Sequence, residues 1–155
     1  MSSDPPGYEL PLLLLSGFRG LIDELHRELA SQGHPEVRPM HGFVFQAIGR
    51  HGTTAVELGR VLGISKQAAG KTIDSLERLG YLYRERDPND GRRVLVLLTD
   101  RGVDCLAKSA RIFDKLRAQR AQTLGAQRLR ALEDDLRKIT SPQPARLDIP
   151  GWFNG

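Results

Sequence analysis

Cysteine, aromatic residues and long apolar runs are all scarce in this sequence. Cys105 is the one cysteine, which excludes an internal disulfide framework and a zinc site built from cysteines. The leucine run at residues 12–15 is far shorter than the roughly 20 apolar residues of a membrane-spanning helix. Acidic residues precede that run, whereas a signal peptide carries basic ones. We therefore expect a soluble, cytoplasmic protein in which Cys105 is a small buried apolar residue.

Motifs of catalysis are missing as well. The sequence contains neither a G-x-G-x-x-G fingerprint nor a nucleophile elbow. Gly70-Lys71-Thr72 resembles the end of a phosphate-binding P-loop, but Ser65 stands where that motif needs a glycine, and a P-loop follows a strand. The histidines, at positions 26, 34, 41 and 51, lack the clustered spacing of a metal site. We expect no enzyme, no cofactor and no metal.

What the chain does carry is a modest positive charge. Its 155 residues predict one domain, and the net charge of +4 with a pI of about 9.6 suits a nucleic-acid partner. Residues 65–93 hold seven basic and five acidic residues, so the positive field is local.

The middle of the chain, residues 53–99, predicts a winged helix-turn-helix. A short helix capped by Thr53 or Thr54 leads to a turn at Gly63, and a second helix starts at Ser65 and ends before Gly80. The inward face of this second helix, which we call the reader helix, is predicted by spacings of three and four at Ala69, Ile73, Leu76 and Leu79. Two strands, 81–86 and 93–98, follow around a turn at 87–92. In that turn Pro88 presets the backbone and Gly91 permits a positive φ.

Helices flank this middle segment on both sides. We expect a polar, disordered lead at 1–7, dimerisation and scaffold helices at 8–52, two further dimerisation helices at 100–140 that break at Leu124-Gly125, and an extended tail at 141–155. For the first helix in 8–52, the alternative to a subunit interface is packing within the chain's own core. Apolar repeats in the flanking helices are typical of helix–helix packing. The tail holds Trp152 and Phe153, which either dock on a partner subunit or belong to a disordered end. The fold class is mainly α with a small β-hairpin wing.

These segments resemble the MarR family of bacterial transcription regulators. The likeness lies in residues 54–82, in the D-x-R hairpin tip at 87–93, and in the apolar strand ending at Leu98-Thr99; it extends over roughly residues 10–140. It implies a symmetric homodimer that binds a pseudo-palindromic site in double-stranded DNA, most often as a repressor. It also implies that Asp90 orients the tip through an ion pair and that Arg92 enters or flanks the minor groove.

DNA-contacting residues are expected on the face of the reader helix opposite its apolar one. There Gln67 suits adenine, Lys66 and Lys71 suit guanine or phosphates, and Ser65 suits a phosphate at the helix start. Gly70 costs helix stability and would let the backbone approach the groove closely. In the hairpin, phosphate contacts or plain strand-edge charges are expected at Arg84, Arg86 and Arg93.

The resemblance further implies a small aromatic effector held between the dimerisation helices and the reader. Phe18, Arg38, His41 and Phe45 are the candidates for its pocket, although core packing explains the phenylalanines equally well. The alternative is a winged-helix interaction or dimerisation module without DNA binding. Such a module would have no need for Lys66, Gln67, Lys71 and Arg92 on one exposed surface.

Overall fold

The computed structural model describes residues 3–141, which form six helices and one antiparallel hairpin. The helices are α1 Glu9–Ser31, α2 Pro39–Ile48, α3 Ala55–Leu62, α4 Lys66–Arg78, α5 Asp100–Leu124 and α6 Ala126–Ile139; the strands are β1 Leu82–Asp87 and β2 Asp90–Leu98. This is the predicted fold class, with the reader helix as α4. Trp152 and Phe153 lie outside the described residues.

Helix ends lie where the sequence places them, because local side chains satisfy the free amides of each first turn. Ser65 Oγ accepts from the Ala68 N–H at 3.0 Å, Thr54 Oγ1 accepts from that of Glu57 at 3.2 Å, and Thr99 Oγ1 caps α5. After the reader helix, Gly80 takes φ +83°, the left-handed conformation that a residue with a Cβ resists.

The wing differs from its prediction at the tip. Its strands leave only Pro88 and Asn89 between them, so the turn is shorter than the predicted six residues. Asp87 pairs with Asp90, yet Arg86 pairs with Val94, so residues 91–93 form an irregularity in β2. Gly91 does not use its left-handed freedom. The tip is therefore shaped by a bulge, a feature that redirects side chains, and the expectation for Gly91 was wrong.

The core lies beneath the reader helix and joins α1, α2 and α5 to it. Phe45 and Tyr81 are its largest fully buried side chains, and their ring centroids are 5.4 Å apart. Cys105 is buried as predicted, and burial raises the pKa of its thiol to about 11. Within residues 3–141, no helix is long and apolar enough to cross a membrane.

Much of the apolar surface of α1 remains uncovered in the single chain. Its first half exposes Leu10, Leu12, Leu13 and Leu14 at 57%, 55%, 62% and 44%. At the other end of the chain, α6 exposes Leu132 and Ile139 at 46% and 67%. Both α1 and α6 thus have apolar faces that the rest of residues 3–141 leaves uncovered.

Candidate nucleic-acid interface

The reader helix α4 is held by its apolar face, as the sequence predicts. Ala69, Ile73 and Leu76 are 0% exposed, so the opposite face, with Ser65, Lys66, Gln67 and Lys71, lies in solvent. Because these residues lie in the first two turns, cationic and amide groups surround the free N–H groups of the helix start. A helix start of this kind favours an anion.

Gly59 on α3 lets the start of the reader helix come close. A Cβ at this position would lie 2.9 Å from the carbonyl oxygen of Ile64 and 3.3 Å from that of Ser65. Ser65 itself uses an oxygen lone pair to cap the helix, which leaves its hydroxyl proton available for donation to a phosphate.

Gly70 has no packing partner of this kind. A Cβ built there meets nothing within 4 Å, although the residue sits inside a helix, where glycine is about 1 kcal/mol less favourable than alanine. Within the described part of the chain, no packing contact requires a glycine at this position.

Arg84 in β1 forms ion pairs with two carboxylates of the reader helix. Its guanidinium donates to Asp74 at 2.6 Å and to Glu77 at 2.9 Å. These contacts tie the wing to α4, so of the two roles considered for Arg84, the geometry supports a strand-edge charge with a structural partner. Arg86 on the same strand is exposed.

The wing tip is held by side-chain acceptors for backbone amides. Asp87 Oδ1 accepts from the Asn89 N–H at 2.8 Å, and Asp90 Oδ1 accepts from the Arg92 N–H at 3.0 Å. Asp90 was expected to act through an ion pair, and it has this backbone contact instead. An ion pair at the tip joins Arg93 and Asp87 at 3.9 Å. Arg92 is exposed and lies in the bulge of β2.

Basic residues of α5 mostly join helices. Lys115 pairs with Glu28 at 2.6 Å, Arg120 with Glu24 at 2.9 Å and Arg117 with Glu133 at 2.6 Å. The first two pairs join α5 to α1, and the third joins it to α6. These cations belong to the scaffold and lie outside the candidate interface.

The four candidate effector residues are only partly brought together. Arg38 precedes α2 and its backbone N–H donates to His41 Nδ1 at 3.0 Å. Burial, with smaller contributions from Arg38 and His26, lowers the pKa of His41 to about 4. Phe45 is a core residue, 1% exposed, whereas Phe18 is 37% exposed on α1. Core packing, the alternative considered for the phenylalanines, therefore accounts for Phe45.

The sequence analysis did not predict a polar cluster that forms around the buried His34. His34 is 3% exposed, and its ring contacts the Tyr81 hydroxyl at 2.7 Å and the Asp104 carboxylate at 2.8 Å. These partners lie 47 and 70 positions away, and no local pattern connects them.

Comparison with known proteins gives the same fold and names a family. A model of the MarR family matches residues 37–93. The uncharacterized HTH-type transcriptional regulator YcgE of Bacillus subtilis (strain 168) is 48% identical over 44 residues, which are 28% of this chain and 29% of that protein. The match therefore spans less than a third of the curated relative.

Solved structures are similar over most of the chain. The apo form of Escherichia coli MarR has a TM-score of 0.66 at 24% identity, covering 90% of this chain and 100% of that one. Streptococcus pneumoniae FabT in complex with DNA has a TM-score of 0.74 at 17% identity, covering 86% and 94%. The Staphylococcus aureus MepR–DNA complex has a TM-score of 0.65 at 18% identity, covering 85% and 96%. These likenesses establish the winged-helix fold.

Proposed function

We propose that this chain belongs to the MarR family, a model of which matches residues 37–93, and that it is a homodimeric, sequence-specific DNA-binding transcriptional regulator. It acts as a repressor that a small effector releases from DNA, and it carries out no catalysis. The observation that carries this proposal is the reader helix: its inner face is fully buried while Lys66, Gln67 and Lys71 stand together in solvent.

In this proposal the start of α4 enters the major groove. Gln67 has the geometry for a bidentate contact to adenine, and Lys66 and Lys71 reach guanine acceptors or phosphates. Ser65 donates to a phosphate that also lies on the free amides of the helix start. Such an arrangement reads sequence through the side chains and takes its register from the phosphate contacts.

The wing contributes a second contact in the adjacent minor groove. Arg92 projects from the bulge whose backbone Asp90 holds, and an arginine there gains most over a narrow, A·T-rich groove. Arg86 and Arg93 reach phosphates on either side. Arg84 supports the interface indirectly, since its ion pairs hold the wing against the reader helix.

The uncovered apolar faces of the terminal helices support the proposed dimerisation. Contiguous exposed apolar surface of this kind is rare on monomers and marks an interaction site. A two-fold axis through α1, α5 and α6 would place two reader helices in successive major grooves, about 34 Å apart. The preferred DNA site is then a pseudo-palindrome with half-sites about one helical turn apart.

Release by an effector requires a ligand that prefers one spacing of the two readers over another. We place that ligand, a small aromatic molecule, between the dimerisation helices and the reader, beside Arg38 and His41. The lowered pKa keeps the His41 ring neutral at pH 7, so it suits hydrogen bonding better than charge pairing.

The test is selection of the purified protein on random double-stranded DNA, followed by affinity for the enriched duplex against salt concentration. We expect a two-fold-symmetric site and a log affinity that falls linearly with log salt. Absence of enrichment, with weak binding at every salt concentration, would favour a winged-helix interaction module without DNA binding.

Charge reversal then tests the surface itself. We expect Lys71→Glu combined with Arg92→Glu to abolish binding to the enriched duplex with little change in melting temperature, because both side chains are exposed. For a single substitution that removes one phosphate contact and leaves measurable binding, the slope of log affinity against log salt concentration should fall by about one. Arg137→Glu on α6, where Arg137 is 70% exposed, is the matched control and should bind as the wild type does. Unchanged binding by the double variant would reject this surface.

A further inference from the structure

His34 and Tyr81, which are buried, and the half-exposed Asp104 form a polar cluster outside the proposed DNA-reading surface, and we name it the linking cluster. Asp104 is also bonded by Lys108 at 2.8 Å, and this contact, followed by that of His34, lowers the pKa of the Asp104 carboxyl. An ionised carboxylate only accepts, so His34 Nε2 donates to it. The other ring nitrogen, Nδ1, lies 2.7 Å from the Tyr81 hydroxyl, whose pKa is raised chiefly by burial.

Two members of the linking cluster lie at the end of α1 and in α5, two of the helices that we place at the dimer axis. His34 follows the end of α1, where its backbone N–H donates to the Leu29 carbonyl at 2.9 Å. Asp104 lies in the second turn of α5, and its partner Lys108 also donates to the carbonyl of Gln32 at 3.0 Å. The His34 ring is therefore held between the end of α1 and the start of α5.

The third member, Tyr81, joins the reader helix to the wing. Its N–H donates to the Leu76 carbonyl of α4 at 2.9 Å, and its carbonyl accepts from the Thr99 N–H at 3.0 Å. A Cβ at Gly102 would lie 2.5 Å from that same carbonyl oxygen, so α5 also meets the backbone of Tyr81 directly.

The ring of Tyr81 is enclosed on several sides. The Arg101 guanidinium lies 4.5 Å from its centroid, and the rings of Phe45 and His34 lie at 5.4 and 5.5 Å. A side chain held by these contacts cannot shift unless the segments that hold it shift together. Apolar contacts tolerate small sliding movements, whereas the two hydrogen bonds of His34 are directional and specify one arrangement.

We propose that the linking cluster is a positioning device that sets the reader helix and wing at one orientation relative to α1 and α5, and so sets the distance between the two readers of the dimer. This inference rests on the proposed function, in which α1 and α5 form the dimer interface. The linking cluster contacts no DNA, and its residues are positioning residues.

The test uses the duplex enriched by the wild-type protein together with versions in which the half-sites are one base pair closer or farther apart. The variant is Tyr81→Phe, which removes one hydroxyl and retains the enclosed ring. We expect its preference for the enriched spacing over the altered ones to fall about three- to tenfold, the effect of removing one hydrogen bond on an equilibrium. A preference equal to that of the wild type would overturn the proposal.

Two comparisons separate positioning from simple loss of stability. Ile112→Val, at a position on α5 that is 3% exposed, destabilises the core without touching the linking cluster, and it should keep the wild-type spacing preference. Asp104→Asn retains an oxygen that accepts from His34 and should also keep it, whereas Asp104→Ala should lose it. Loss in Ile112→Val, or equal behaviour of the two Asp104 variants, would contradict the inference.

A measurement without DNA tests the positioning role of the linking cluster separately from the DNA-binding function. A spin label at Gln67→Cys reports the reader-to-reader distance in the dimer, and buried Cys105 stays unlabelled. We expect a broader distance distribution when Tyr81→Phe is added. An unchanged distribution overturns the positioning role even if the wild type enriches a symmetric duplex. Failure to enrich any duplex, with broadening observed, overturns the DNA-binding function alone. If no distance between spin labels on two protomers is detected, both the positioning role and the proposed dimeric regulator are overturned.

Discussion

Replacing Gly70 by alanine should change stability and DNA binding in opposite directions. A Cβ at this position meets nothing within 4 Å, so the folded chain accepts it without strain. Alanine is favoured over glycine inside a helix by about 0.8–1.0 kcal/mol. For a chain of this size about 1 kcal/mol raises the melting temperature by about 2–4 °C.

DNA binding should weaken, because the added methyl group lies on the solvent side of the helix that we place in the groove. In the proposed complex the backbone at Gly70 lies closest to the bases, so the added methyl group would push the helix away from the groove floor. Removing one well-formed base contact costs about 1–3 kcal/mol. The expected fall in affinity for the enriched duplex is thus about five- to 150-fold.

The assays are thermal unfolding at fixed protein concentration and titration of the enriched duplex at fixed salt. Gly59→Ala is the matched control: the same methyl group would lie 2.9 Å from the Ile64 carbonyl oxygen, and overpacking of this kind costs about 1–3 kcal/mol. A lower melting temperature for Gly70→Ala would refute our account of its surroundings. Unchanged affinity would refute its place at the groove.

Two further predictions concern stability against pH and the dimer. His41 binds a proton near pH 6.5 in the unfolded chain but near pH 4 in the folded one, so stability is complete above about pH 6.5 and falls by up to about 3 kcal/mol as the pH drops to 4. His41→Asn, which retains an acceptor for the Arg38 N–H, should flatten that part of the melting-temperature profile; an equally steep profile would contradict the assignment. Leu13→Glu should leave the helical content unchanged and yield monomers in sedimentation velocity with much weaker DNA binding, whereas Val56→Glu, at an equally exposed position on α3, should stay dimeric. A dimer in both would place the interface elsewhere.

Local signals in the sequence were sufficient for most of the fold. Ser65, Thr54 and Thr99 cap the helices that follow them because each side chain reaches an amide only three residues away. The apolar face of the reader helix was predicted for the same reason, since spacings of three and four are set by the helix itself. Gly80 likewise ends that helix in the left-handed conformation.

The candidate site was predictable only in outline. Its exposed residues follow from the buried face of α4, but which of them contact bases stays a prediction. The partners of Arg84 and the bulge beside Arg92 had no sequence signal, because they depend on how the hairpin lies against the helix. The shortened turn had the same origin: strand register, rather than the turn residues alone, decided where pairing stopped.

The sequence by itself thus determined the order of the elements, the ends of the helices and the inward face of the reader helix, since these depend on residues a few positions apart. Only the tertiary structure decided which polar groups meet. His34 contacts Tyr81 and Asp104, which lie 47 and 70 positions away in the sequence. Arg120 contacts Glu24, which lies 96 positions away. Such pairs depend on the angles and distances at which whole helices pack. The spacing of residues along one element does not predict these pairs.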